Sequence, residues 1–251
     1  MKKVLNFVAR NFFFFIPGGC EKVFYELYKR AVNDYRVRII SGYYKKTNFP
    51  MFNSIFPHLK TKNAIFRYAY YTLNMTLRAY NRSCDLIHAN NIECIRLSNK
   101  PFVLTIHHLG HLMYDEIRKQ NIFTWFLRKM VAFQANRADK VITVSHNTKN
   151  DLKKIGVNPD KIVVIPNGID LEMFKPAKKK KKNSKFIISH VSRISPEKAQ
   201  HFSIEAIKRL PEKIREKIEL HIIGFVSDKN YYESLEKNNS VKFFLNLNDK
   251  K

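Results

Sequence analysis

The chain has 251 residues, of which 45% are hydrophobic, and it carries a formal net charge of +25. The apolar content supports one large or two modest folded domains and excludes a globally disordered chain. The charge indicates an anionic partner, such as a nucleic acid, an acidic membrane surface or a phosphorylated small molecule.

Apolar strands and amphipathic helices alternate through the first part of the chain. Strands are predicted at 2–9, 36–40, 84–88, 102–106, 140–144 and 161–165. Helices are predicted at 20–32, 62–80, 113–137 and 146–155. The first has Val23, Phe24, Leu27 and Ala31 at helical spacing. The second has one apolar face, formed by Ile65, Ala69, Leu73, Leu77 and Tyr80. This alternation is typical of βαβ units and a parallel sheet, which makes the fold class α/β.

A lysine-rich segment at 175–185 interrupts the pattern and is predicted to be an exposed linker. Beyond it, strands are predicted at 186–191, 218–223 and 241–245, and helices at 197–210 and 229–237. The predicted domains are therefore 1–174 and 186–251. The second is about half the size of a complete nucleotide-binding α/β domain, so a C-terminally truncated or split chain is expected.

Cysteine spacing and hydropathy indicate the cellular compartment in which the protein is expected. Cys20, Cys84 and Cys94 form no CxxC pair, so neither a disulfide framework nor a zinc knuckle is expected. No apolar run reaches the roughly 20 residues of a membrane span, and no signal peptide is predicted. A cytoplasmic protein is expected, with the inner face of a membrane as a second possibility.

Polar residues follow the predicted strands at the edge where open parallel sheets bind ligands. His107 follows its strand directly and is best placed to enter a cleft. His88, Asn90, Ser145 and Asn167 are further candidates, with Asn167-Gly168 as a tight turn. Either histidine could instead be a satisfied core residue. His107 and His111 lack the glutamate of an HExxH site, so no metal is expected.

Two loops are suited to a diphosphate. In "SRISPEK" (192–198), Ser195 suits an N-cap and Pro196 a first helical position, so Arg193 and Lys198 would lie beside a helix N-terminus. The alternative is two solvated cations. Gly18-Gly19, after "FFFFIP", would let the backbone approach a ligand. The phenylalanines before it indicate either packing or a face toward a lipid-like acceptor.

Several motifs together resemble the family-four glycosyltransferases of the GT-B fold. They are "FFFFIPGGCEKVFYEL", "CDLIHANN", "FVLTIHHL", "ADKVITVSHNTKNDL", "DKIVVIPNGIDLEMFKP" and "HVSRISPEKAQHFSIEAIKRL", in this order. The resemblance implies a complete N-terminal Rossmann-like domain on the acceptor side and a partial C-terminal one on the donor side. It also implies retaining, metal-independent sugar transfer from a nucleotide diphosphate sugar, with no cofactor.

The resemblance assigns roles to individual residues. Arg193 and Lys198 match the donor-phosphate pair, Gly18-Gly19 match the loop that approaches the donor phosphates, and His107 matches a histidine at the reaction centre. The family commonly has glycine where this chain has Ser192 and Ala199. Its later glutamate motifs would lie beyond Lys251. The acceptor is expected to be lipid-linked, a glycan or a small molecule.

Other partners stay open at this point. A non-catalytic remnant, or a subunit that binds a membrane or a companion chain supplying the rest of the donor domain, is the main alternative. Lys178–Lys182 suit an anionic lipid surface. A nucleic-acid-binding protein has the charge, but no base-reading helix, zinc finger or aromatic RNA motif supports it.

Overall fold

The computed structural model describes residues 2–9, 19–41, 64–80, 83–92, 94–114, 119–176 and 185–245. Its contacts divide the chain into a first compact unit, residues 1–170, and a second, residues 171–251. Most of the predicted linker, 177–184, lies outside the described residues, as do Gly18 and the phenylalanine run before it. The assignment of acceptor and donor roles to the two units stays a prediction.

The first unit is built on a six-stranded parallel sheet in the order β2-β1-β3-β4-β5-β6. Its strands are β1 (Val4–Ala9), β2 (Arg36–Ser41), β3 (Leu86–Asn90), β4 (Phe102–Ile106), β5 (Lys140–Thr143) and β6 (Ile162–Val164). Its helices are α1 (Gly19–Asp34), α2 (Ala64–Tyr80), α3 (Gly110–Met113), α4 (Ile122–Arg137) and α5 (His146–Lys154). The predicted α/β class with a parallel sheet is confirmed.

Helices cover the two faces of this sheet, which explains why its strands are almost continuously apolar. Along β1, Phe7 packs with Phe24 and Tyr28 of α1. Val8, which points to the opposite face, packs with a larger core that includes residues of α2, α4 and α5. Thus α1 lies on one face of the sheet, and α2, α4 and α5 lie on the other.

The apolar face predicted for α2 is wrong at Ala69, Leu73 and Leu77, whereas Tyr80 packs against the core and the Ile65 side chain lies outside the described residues. Leu73 and Leu77 are 58% and 53% exposed, and Ala69 is exposed as well. Among the side chains of this helix that the structure describes, the buried ones are Tyr71, Thr72, Met75, Thr76 and Ala79. Buried threonines are tolerated there because the Thr76 hydroxyl donates to the Thr72 carbonyl oxygen at 2.6 Å and accepts from the Ile95 N–H at 2.9 Å.

Two other helix predictions need correction. In α1 the buried residues are Phe24 and Tyr28, whereas Leu27 is exposed. The helix predicted at 113–137 begins later, as α4 at Ile122, and the short α3 already ends at Met113. Helix α4 begins at a capping box, in which Asn121 Oδ1 accepts from the Thr124 N–H and Thr124 Oγ1 accepts from the Asn121 N–H.

The second unit contains a three-stranded parallel sheet in the order β7-β8-β9. Its strands are β7 (Phe186–Val191), β8 (Ile218–Gly224) and β9 (Val241–Leu245), and its helices are α6 (Gln200–Lys208), α7 (Glu212–Arg215) and α8 (Lys229–Ser234). Ile204, Ile207, Leu220 and Ile222 form the centre of its core. The second α/β unit is therefore small, as the sequence predicts for a partial domain.

The helix predicted at 197–210 begins later than expected. Pro196–Lys198 form a single 3-10 turn, Ala199 adopts a left-handed conformation with φ +55°, and α6 starts at Gln200. Ser195 makes no side-chain capping hydrogen bond. Ser195 and Pro196 thus occupy the predicted N-cap and first position, but of the short turn, because the left-handed Ala199 separates this turn from α6.

Within the described residues, no helix is both long and apolar enough to cross a bilayer.

Candidate functional site

His107 and Asn90 meet at the carboxyl edge of the first sheet. Asn90 ends β3, and His107 follows the last residue of the adjacent β4. In this arrangement His107 Nε2 donates to Asn90 Oδ1 at 3.0 Å, and the two residues are buried, at 5% and 4% exposure. The histidine predicted to face a cleft is therefore held in a fixed orientation by the asparagine.

Burial keeps the His107 ring neutral. Loss of hydration is the main cause that lowers its pKa from 6.5 to about 4, and the nearby His108 adds a smaller effect of the same sign. A neutral imidazole near pH 7 can exchange hydrogen bonds with a hydroxyl group without bringing a positive charge to the site.

His88 lies within β3 instead of beyond its end, because the strand continues to Asn90. Its Nε2 lies 2.7 Å from Thr105 Oγ1, and its ring packs against Phe7 and Phe24 with centroids 5.3 and 5.4 Å away. Burial, followed by the effect of His107, lowers its pKa to about 4. These contacts are those of a satisfied histidine that packs between β1, β4 and α1.

Ser145 is the N-cap of α5 and accepts from the Thr148 N–H at 3.2 Å. The Thr148 hydroxyl in turn donates to the His107 carbonyl oxygen at 3.4 Å. The serine therefore fixes the start of α5 next to the segment that carries His107. Its contacts here are structural.

The predicted glycine loop at Gly18-Gly19 and the predicted turn at Asn167-Gly168 differ in outcome. Gly18 lies outside the described residues, and Gly19 is the first residue of α1, with open space where a Cβ would be. The predicted tight turn at Asn167-Gly168 is wrong, since residues 165–170 have no turn and both residues are exposed. Asn167 is thus an exposed residue at the end of the first unit.

In the second unit, the loops after β7 and β8 are joined by backbone contacts. Ser192 N donates to the Ile223 carbonyl oxygen at 3.0 Å, and Ile194 N donates to the Phe225 carbonyl oxygen at 2.9 Å. A Cβ on Gly224 would lie 1.9 Å from the Ser192 oxygen, so only glycine fits. The sequence shows this glycine after an apolar strand, but it does not show which loop the glycine touches.

Gln200 anchors the same loop from beneath. This fully buried side chain donates from Nε2 to Ser192 Oγ and to the Arg193 carbonyl oxygen, both at 2.9 Å. Its Oε1 has no hydrogen-bond partner within the described part of the chain. Sequence reasoning missed this residue, because a glutamine in the first turn of a helix is ordinarily a solvated one.

Arg193 and Lys198 both lie exposed on this anchored loop. The Arg193 guanidinium pairs with Glu197, one turn further along. The structure therefore brings the two predicted cations into one short segment at the carboxyl edge of β7, and the glutamate neutralises part of their charge.

A cavity of about 400 Å³ lies beside α6 and α8. Its lining residues are His201, Ile204, Glu205, Tyr231, Ser234, Leu235 and Glu236. None of the predicted site residues lines this cavity, so it is separate from the candidate site.

Two curated proteins share part of the sequence. One subunit of the phosphatidylinositol N-acetylglucosaminyltransferase of Arabidopsis thaliana is 33% identical over 82 residues, which are 32% of this chain and 18% of that protein. UDP-Gal:alpha-D-GlcNAc-diphosphoundecaprenol alpha-1,3-galactosyltransferase of Escherichia coli is 28% identical over 150 residues, which are 51% of this chain and 37% of that protein. The matches thus span well under half of either relative.

Solved structures and family models extend the likeness to nearly the whole chain. HepE of Anabaena, solved with UDP and glucose, superposes with a TM-score of 0.65 at 17% identity, over 97% of this chain and 69% of that one, which shows a shared fold. The model of Glycosyltransferase Family 4 matches residues 17–173, and that of Glycosyl transferases group 1 matches residues 172–251. Because the first match alone covers more than half of the chain, the protein belongs to glycosyltransferase family 4.

Proposed function

We propose that the protein transfers a sugar from a nucleotide diphosphate sugar to an acceptor, with retention of configuration and without a metal or cofactor. The observation that carries this proposal is the pair of exposed cations, Arg193 and Lys198, on a loop fixed by Gly224 and Gln200 at the carboxyl edge of β7. Family membership supports the reaction class.

The cations would bind the donor diphosphate. A guanidinium can form two parallel hydrogen bonds to phosphate oxygens, and an ammonium adds a point charge. Both interactions strengthen as the diphosphate departs and its negative charge develops, so they would stabilise the transition state more than the bound substrate. The role of Gly18 and Gly19, as part of a loop that approaches the donor phosphates, stays a prediction.

His107 would act at the sugar. Its ring is neutral near pH 7 and oriented by Asn90, so it can hydrogen-bond a donor hydroxyl at a fixed position. Asn90 would be a positioning residue in this scheme. Ser145 and His88 would support the strand ends and would not touch substrate, and the role of Asn167 stays a prediction.

The relatives suggest the first substrates to test. The E. coli protein is named for a UDP-galactose donor and a lipid diphosphate acceptor, and the Anabaena structure contains UDP and glucose. A UDP-sugar donor and a lipid-linked acceptor, met by a cytoplasmic enzyme at the inner face of a membrane, are therefore proposed here. The Arabidopsis relative is named as one subunit of an enzyme, so a companion chain is the alternative setting.

The test compares two exposed arginines, each of which pairs with a glutamate four residues away. Arg193 pairs with Glu197 at the loop, and Arg209 pairs with Glu205 at 3.0 Å at the far end of α6. Arg193→Ala should weaken UDP or GDP binding about tenfold or more, since a hydrogen bond to a charged group contributes about 1.5–3 kcal/mol. Arg209→Ala should leave binding unchanged. Equal binding by both variants would exclude the phosphate site on this loop.

A further inference from the structure

Helix α4 exposes a stripe of large apolar side chains. Ile122, Trp125, Phe126 and Phe133 are between 43% and 78% exposed. Their spacing of three, four and seven residues places them on one side of the helix. The opposite side is buried in the core through Val131, Ala132 and Ala135, so the exposed stripe faces away from the sheet.

Cations accompany these aromatic rings. Lys129 Nζ lies 5.8 Å from the centre of the Trp125 ring, and the Arg137 guanidinium lies 5.5 Å from the centre of the Phe133 ring. The sequence has no acidic residue between Glu116 and Asp139. The stripe therefore combines apolar bulk with positive charge and carries no negative charge of its own.

Helix α2, on the same face of the sheet, also combines exposed apolar side chains with a basic, acid-free sequence. Its Leu73 and Leu77 are more than half exposed, and its inner side packs in the same core as that of α4. The sequence has no acidic residue between Asp34 and Asp85, although it has many basic ones. Two helices on the same face of the sheet thus present exposed leucines and aromatics within basic, acid-free segments.

We propose that the outer sides of α2 and α4 form a docking surface for an anionic phospholipid bilayer. Ile122, Trp125 and Phe126 would enter the boundary between headgroups and acyl chains, where aromatic rings are favoured. Lys129 and Arg137 would extend along these rings to the phosphates, with their aliphatic stems covered. This surface differs from Lys178–Lys182, and its role goes beyond sugar transfer and does not require it.

The combination of cations and aromatic rings on this surface favours a lipid bilayer over a protein partner. A protein partner of this surface would have to cover cations and aromatics together with complementary acids, whereas an anionic bilayer offers negative charge and apolar depth in one layer. The chain's net charge of +25 adds attraction to the same target.

Trp125 makes the test direct because it is the chain's single tryptophan. Full-length protein is titrated with vesicles of phosphatidylcholine, alone or mixed with phosphatidylglycerol, and with mixed vesicles whose acyl chains carry bromine. The proposal predicts a blue shift of the emission and quenching by bromine with the anionic vesicles, and much weaker changes with phosphatidylcholine alone. Vesicle co-sedimentation is measured on the same samples.

Variants separate this surface from the rest of the molecule. Ile122→Ser with Phe126→Ser should reduce vesicle affinity about tenfold or more, and Lys129→Glu should reduce it on anionic vesicles only. The matched control is Leu27→Ser, which removes an exposed apolar side chain from α1 on the opposite face of the sheet. Circular dichroism of each variant checks that it is folded, and nucleotide binding is measured separately, so loss of one activity does not imply loss of the other.

Each of the following results would overturn the proposal. The first is vesicle binding with no change in Trp125 emission, which would assign docking to another surface such as the lysine-rich segment. The second is a blue shift that depends on protein concentration without lipid, which would assign the stripe to a second copy of the chain. The third is no binding to anionic vesicles at moderate salt, or the same emission change with DNA in their place.

Discussion

Gly224 and Ser192 lie so close that a Cβ on the glycine would meet the Ser192 carbonyl oxygen at 1.9 Å. The contact joins the end of β8 to the loop that carries Arg193, and the neighbouring backbone hydrogen bonds hold both loops together. The position of the candidate phosphate loop therefore depends on a residue that is remote in sequence and has no side chain.

Gly224→Ala should separate these loops, because a methyl group cannot occupy space already filled by backbone. We expect a loss of about 1–3 kcal/mol in the free energy of unfolding, as for other overpacked sites, and weaker nucleotide binding. Urea denaturation followed by circular dichroism measures the first effect. Gly168→Ala is the control, since nothing lies within 4 Å of its Cβ position. Equal stability of both variants would show that the contact is not needed.

Gln200→Met should keep the volume of the buried side chain and remove its two hydrogen bonds to Ser192 and Arg193. The expected loss of stability is about 1–2 kcal/mol, with nucleotide affinity lowered because the loop is no longer fixed. Ser203→Ala serves as the control, since it removes a hydrogen bond to His190 elsewhere on the same helix. If both variants lose stability and neither loses affinity, Gln200 has no positioning role.

Ala199→Gly should stabilise the protein. Ala199 has φ +55°, a conformation that costs a residue with a Cβ about 1–2 kcal/mol and glycine almost nothing. The greater freedom of glycine in the unfolded chain offsets part of this gain, which leaves about 0.5–1 kcal/mol. A higher midpoint of thermal unfolding would confirm it. A lower midpoint would contradict the left-handed geometry and the late start of α6.

Glu197→Gln should strengthen nucleotide binding. The carboxylate now pairs with Arg193 and would repel a diphosphate on the same loop. Since exposed ion pairs contribute about 0.2–1 kcal/mol, we expect an affinity gain of up to about fivefold. Glu205→Gln, which changes the glutamate paired with Arg209, should have no effect. Weaker binding by the Glu197 variant would indicate that the glutamate positions Arg193 for the ligand.

Stability should fall on acidification below pH 6.5. Burial lowers the pKa of His107 and of His88 to about 4 in the folded chain, whereas both groups bind a proton near pH 6.5 when unfolded. The unfolded state thus binds more protons between these values, so the stabilisation present above pH 6.5 is lost progressively toward pH 4. Each group adds up to about 1.4 kcal/mol per pH unit to the slope. His107→Gln should reduce the slope measured by urea denaturation between pH 4 and 6.5, and an unchanged slope would contradict neutral burial.

The parallel sheets were predictable because buried strands are short apolar runs at regular intervals, and β4 and β7 have the predicted bounds. The buried side of α2 was not predictable, because Thr76 is polar in sequence and its buried hydroxyl is satisfied only by the Thr72 carbonyl oxygen and the Ile95 N–H. Leu73 and Leu77 are apolar, which makes them resemble core residues in the sequence and also fits the proposed contact with a bilayer.

Some residues of the candidate site were likewise predictable from the sequence, and others were not. His107, Arg193 and Lys198 stand out because reactive side chains follow apolar strands. Asn90 was also visible as a candidate, but its bond to His107 arises only from the pairing of β3 with β4. Gln200 and Gly224 act through contacts between separate loops, which spacing along the chain does not encode.

The most direct measurement is a calorimetric titration of the unsubstituted full-length chain with UDP, GDP and their sugar conjugates. Saturable binding of one nucleotide series, with the sugar conjugate bound as well, is the result expected if the anchored loop of the second unit holds a donor diphosphate. A folded chain that releases no heat with any of these ligands, and shows no thermal stabilisation by them, would contradict the proposed transfer from a nucleotide diphosphate sugar.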